Sequence, residues 1–183
     1  MITLEGIFWI FVLLFGLVGA LRGWKKEILV TFSMLLGLFI EFIVKAYVPG
    51  VQMALIAQSP SNQFLIRGTL FAALAFFGYE TPRLRGLGES GRFAREKFPD
   101  YLLGTIFGLI NGYFLIGTLW YYMHDTGYPF EQITGPCLVL TSPCPLGSED
   151  PSYLRYLPPR LIGVPWLFFA VAIAFVFVII VFV

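Results

Sequence analysis

Apolar positions along this chain come in long unbroken runs rather than in the short rhythms of a water-soluble fold. Runs at 6–21, 28–48, 64–79, 99–123 and 161–183 are separated by stretches holding most of the charge, proline and polar residues. A bilayer crossing takes about 20 apolar residues as a helix. The pattern therefore predicts an all-α integral membrane protein, a small bundle of about five transmembrane helices. The first run is short for a crossing, and Trp24 with the basic residues after it extends it by snorkelling. The last run is 23 residues without a charge, and covers about 34 Å as a helix, enough for one crossing. The interruptions divide the chain into a four-helix transmembrane core at 1–123, a proline-rich extracytoplasmic loop at 124–160 and a C-terminal transmembrane helix at 161–183. Residues 51–57, apolar but too short to span, are expected to lie along the membrane surface after the Pro49-Gly50 break.

Small residues inside the runs carry a second pattern. Gly104, Gly108 and Gly112 recur every four residues in the fourth run, which places them on one helical face. Gly16, Gly19 and Gly23 thin one side of the first. In water each helical glycine costs about 1 kcal/mol relative to alanine. In lipid the missing side chain lets another helix pack against the backbone. These six glycines are the candidate helix-packing residues. The face at Gly104 to Gly112 is a groove for a neighbouring helix, or for a lipid or quinone.

The polar residues inside the runs are few enough to consider singly. Glu41 and Lys45 share the second run at the favourable i,i+4 spacing, and Arg67 lies near the same end of the third. They form a candidate intramembrane polar cluster. It is either a self-neutralising group near the outer end, with Lys45 reaching for headgroups, an ion or proton site, or a pairing site for another subunit. His124 has no second ligand at a recognised metal spacing, so no metal and no cofactor is expected. Cys137 and Cys144, seven residues apart among prolines, are a disulfide candidate on an oxidising face.

Composition agrees with the runs. Hydrophobic residues make up 58% of the 183 and charged residues 13%, so the chain needs lipid or protein to cover it. The net charge of +1 gives no nucleic-acid surface. The start, MITLEGIFW, lacks the basic segment of a cleaved signal peptide. Of the 12 Lys and Arg, eight (Arg22, Lys25, Lys26, Arg83, Arg85, Arg92, Arg95 and Lys97) fall in two segments on one side of a five-span topology. The positive-inside rule makes that side cytoplasmic. The N-terminus is then extracytoplasmic and the C-terminus cytoplasmic, in a bacterial inner membrane, with the cysteines outside.

Two stretches resemble the colicin V production protein family. Residues 16–40 carry its Gly-x-x-Arg-Gly turn as Gly19, Arg22 and Gly23, followed by an aromatic residue and Glu27. Residues 98–117 carry its glycine-spaced fourth helix through Asp100, Gly104, Gly108 and Gly112. Tyr101 and Asn111 stand where that family has arginines. The resemblance spans about residues 5–123 and implies a four-span, non-enzymatic fold linked to export and envelope processes.

With no catalytic constellation in sight, the sequence reads as a non-catalytic accessory subunit of a larger membrane complex. Its partners are other membrane subunits and lipid, and an energy-converting electron-transfer assembly is the class such small subunits suggest. The alternative is a small transporter, channel or export component, with Glu41, Lys45, Arg67 and Asn111 along a polar path.

Overall fold

The computed structural model describes residues 4–84, 97–130 and 152–182. It is a helical membrane bundle: α1 (Leu4–Arg22), α2 (Trp24–Tyr47), α3 (Val51–Ile56), α4 (Pro60–Leu84), α5 (Lys97–Asp125), α6 (Pro158–Leu161) and α7 (Trp166–Phe182), with a 3-10 turn at Ser152–Tyr156 before α6. By length and composition α1, α2 and the Pro99–Asp125 part of α5 are able to cross a bilayer. Among the other two long helices, α4 has 25 residues and carries Arg67 in its wall. The wholly apolar α7 has 17, about 26 Å of helix.

The helix boundaries follow from local chemistry. Gly23 alone separates α1 from α2, with φ of 83°, a region closed to most L-residues. A Cβ there would also sit 2.8 Å from Asp100 Oδ2. The basic segment 22–27 is therefore turned at a single residue, and Glu27 belongs to the first turn of α2. Pro49 and Gly50, the latter at φ 87°, turn the chain into the short exposed α3. In the polar stretch 58–63, α4 already begins at Pro60. Pro60 needs no amide partner in a first turn, and Ser59 Oγ accepts from the Asn62 amide at 3.4 Å. The last apolar run does not form one helix from 161. Pro165 disfavours helical backbone at Val164, so α6 ends at Leu161 and α7 starts at Trp166 after a cis Val164–Pro165 bond.

Packing is organised by residue size. The buried side of α1 is Phe8, Val12, Gly16 and Gly19, while Trp9, Ile10, Leu13, Leu14, Leu17 and Leu21 are exposed. Large apolar side chains outside and small ones inside is the arrangement for a helix whose solvent is lipid. Antiparallel α1 and α5 meet along the glycines. A Cβ on Gly19 would fall 2.7 Å from Gly108 Cα, one on Gly108 2.9 Å from Gly19 Cα, and one on Gly112 2.7 Å from Phe15 Cβ. Gly16 lies under Leu109, and Gly104 faces the carbonyl of Gly19 and the Cα of Gly23. The face at Gly104 to Gly112 is thus filled by α1, which leaves no groove there for a lipid or quinone.

On the other side of α5, α2 contributes Val30, Met34 and Leu38 to a core with Phe71 and Ala75 of α4, Phe114 and Tyr122 of α5, and Leu167 and Val171 of α7. Ser33 donates to the Leu74 carbonyl, tying α2 to α4. A second core joins Phe8 and Val12 to Trp120, Met123, Tyr128, Leu154 and Leu157. The described ends of the 124–160 segment are therefore packed against the bundle rather than laid over its surface, and Tyr113 donates to the Tyr156 carbonyl. Cys137, Cys144 and the charged residues 85–96 lie outside the described residues.

Candidate functional site

Helices α2, α4 and α5 converge at the end of the bundle where α2 and α5 finish. Glu41 is nearly two turns from the end of α2, Lys45 follows it by four residues, and Arg67 enters from the second turn of α4. The three residues singled out in the sequence meet there. Lys45 Nζ and Arg67 Nε donate to Glu41 Oε1 at 2.6 and 2.8 Å. Two members were not foreseen. The Tyr122 hydroxyl donates to Glu41 Oε2, and Arg67 Nη1 reaches Asp125 Oδ2 at 2.5 Å. The Arg67 guanidinium also lies 4.2 Å from the centroid of the Tyr122 ring, so the ring face adds a cation–π attraction.

The arrangement is self-neutralising, with two cations against two carboxylates. Burial is graded across it: side-chain exposure is 7% for Arg67, 16% for Glu41, 33% for Lys45 and 46% for Asp125. The inner pair is shielded and the outer pair accessible. A carboxylate that already accepts from three donors has little capacity left as a general base. The chemistry on offer is electrostatic recognition rather than proton abstraction.

Two cavities share this wall. One of about 240 Å³ is bounded by Leu38 and Phe42 of α2, Tyr121 of α5 and the 162–167 approach to α7, with Glu41, Lys45, Arg67 and Asp125 on its polar side. A smaller one of about 90 Å³ lies behind the cluster against α3 and α4. A third, mainly apolar groove of about 230 Å³ runs along α2 between α4 and α7, over Leu29, Phe32, Leu36, Phe77, Val171 and Phe175, with Ser33 among its lining.

Asn111 does not join this cluster. It sits in a second one, about 21 Å away along α2 at 1.5 Å per residue. There Arg22 Nη1 pairs with Glu27 Oε1 at 2.8 Å and its Nη2 donates to the Tyr79 carbonyl at 2.8 Å. Asn111 Nδ2 donates to Glu27 Oε2 at 2.8 Å and to the Glu27 carbonyl at 2.9 Å, while Thr31 Oγ1 donates to Asn111 Oδ1 at 2.7 Å. Glu27 and Asn111 are fully buried. The four residues proposed for one polar path thus divide between the two ends of the bundle. The sequence signal for Glu27 was present but read otherwise: an acidic residue three positions after a helix-starting Trp24 suits the positive end of the helix dipole.

His124 stacks edge-on to Tyr128 with ring centroids 5.7 Å apart. No group of three or more His, Cys, Asp or Glu suited to a metal occurs among the described residues. No family model matches the chain, and it has no significant match among curated proteins or solved structures.

Proposed function

We propose that this protein is a non-catalytic accessory subunit of a larger complex in a bacterial cytoplasmic membrane, with an energy-converting electron-transfer assembly as the candidate class. The observation that carries this reading is the internal pairing of its membrane charges. Glu41 is held by Lys45, Arg67 and Tyr122, and Glu27 by Arg22 and Asn111. A transport pathway keeps polar groups available to its cargo, whereas these clamp helices to one another. The open apolar groove between α4 and α7 offers a flank for a neighbouring subunit's helix. The positive-inside asymmetry supports an extracytoplasmic N-terminus and a cytoplasmic C-terminus, which places the Glu41 cluster at the extracytoplasmic face.

The test is purification from native membranes in mild detergent, with mass spectrometry of what accompanies the chain. Stoichiometric recovery with other membrane subunits is expected. Recovery as a monomer or homo-oligomer overturns the reading.

A second reading, an export or transport component resembling the colicin V production protein family, has its own support. The residues that carry the resemblance are spatial neighbours, with Gly19 against Gly104 and Gly108, and Gly23 against Asp100. A loss of flux in Glu41→Gln or Arg67→Gln, with the fold retained, would favour it over the subunit reading.

A further inference from the structure

We infer that the cavity beside Lys45 and Asp125 binds one phospholipid with a zwitterionic, primary-ammonium headgroup, of the phosphatidylethanolamine type. Its headgroup phosphate sits on Lys45, its ammonium on Asp125, and an acyl chain along Phe42 and Leu167.

Three observations converge on that ligand. The first is position. Lys45 is in the last turn of α2 and Asp125 is the last residue of α5, so both stand at the end of a helix able to cross a bilayer, where headgroups lie. The second is the mixed lining. Glu41, Lys45, Arg67 and Asp125 share the cavity wall with Leu38, Phe42, Ile162 and Leu167, which suits an amphiphile rather than a wholly polar solute.

The third is charge. The four charged groups sum to zero, so the site favours a net-neutral headgroup over an anionic one. The accessible pair is one cation and one anion, Lys45 and Asp125. Among the described residues Lys45 Nζ bonds Glu41 alone, leaving two of its three protons for a phosphate. The Asp125 carboxylate bonds Arg67 through Oδ2 alone, leaving Oδ1 for an ammonium. A primary ammonium donates hydrogen bonds to a carboxylate and a quaternary one does not. In this cavity the lipid also fills space between α2 and the start of α7, a helix that leans on the described bundle chiefly through α2. The site does not depend on whether the chain works inside a complex.

The experiment uses the full chain, with any subunits that accompany it, delipidated in mild detergent. It is titrated with dioleoyl phosphatidylethanolamine, phosphatidylcholine or phosphatidylglycerol, and bound lipid is counted by native mass spectrometry. One phosphatidylethanolamine per chain is expected, with about tenfold preference over the other two, the worth of one charge-assisted hydrogen bond. Asp125→Asn erases the discrimination against phosphatidylcholine, while Lys45→Gln lowers affinity for both zwitterionic lipids and Lys45→Arg restores it. Glycerophosphoethanolamine, the headgroup without chains, leaves the site empty at the same concentration. Equal binding of the three lipids, strongest binding of phosphatidylglycerol, or headgroup binding equal to that of the whole lipid overturns the inference. The ranking by the unsubstituted chain decides it even where a variant fails to fold.

Discussion

Around Glu27 the bundle buries a carboxylate completely; around Glu41 it leaves one beside two cavities. Both carboxylates are on α2, both face an arginine from another helix, and both are bridged to α5, by Asn111 in one case and Tyr122 in the other. The difference lies in what surrounds them. Glu27 is clamped where the glycine seam brings α1 to within backbone contact of α5, so no space remains and its partners are fixed. Glu41 lies where α7 approaches through a proline-broken segment instead of a continuous helix, and the imperfect fit leaves the 240 Å³ cavity. One kind of polar group thus serves as a rivet where packing is tight, and as the wall of a recognition site where packing is loose.

The largest effect is expected from breaking the tight end. Glu27→Ala takes the carboxylate from the half-buried Arg22 and the fully buried Asn111, a loss of about 3 kcal/mol, the lower end of the cost of splitting a buried ion pair. Thermal unfolding in detergent should show collapse of the folded state or a steep fall in midpoint; a wild-type midpoint would refute the rivet description.

Arg67→Gln attacks the matching position at the loose end. It is expected to cost about 1.5–3 kcal/mol, the range for hydrogen bonds to charged groups, because the adjoining cavities let water or headgroups reach Glu41 and Asp125. Finding Arg67→Gln more damaging than Glu27→Ala in the same assay would invert the comparison.

Gly108→Val asks whether the seam is what seals the tight end. The added carbons meet the backbone of Gly19 and Phe15, an overpacking of about 1–3 kcal/mol. Separation of α1 from α5 should expose Glu27 while leaving the Glu41 cluster unchanged. Site-directed labelling of Cys substitutions at Thr31 and at Phe42 reads the two ends separately, with labelling expected to rise only at the first.

The smallest effect is expected for Lys45→Gln, about 0.5 kcal/mol as for a partly exposed i,i+4 pair. Its midpoint should match wild type within error while affinity for zwitterionic lipid falls, which separates the binding role of Lys45 from any structural one.

The parts of this protein legible in the linear sequence are those set by local rules. Bilayer thickness makes a run of about 20 apolar residues a crossing helix, so the long helices are visible as runs. The i,i+4 step puts Lys45 beside Glu41 with no knowledge of the fold. The four-residue spacing of Gly104, Gly108 and Gly112 marks a face for close approach. Tertiary structure decided everything that depends on which face of a helix looks inward. In soluble proteins polarity marks that face, but here both faces are apolar, and side-chain size replaces polarity as the sorting rule. That is why α1, and not a lipid or quinone, fills the glycine groove. It is also why Glu27, one turn into α2 and adjacent to two lysines, becomes the most deeply buried charge among the described residues. Tyr122 and Asp125 join Glu41 from 81 and 84 positions away in sequence, through the way α5 lies against α2. Distances of that kind are fixed by packing across the bundle, since no local spacing encodes them.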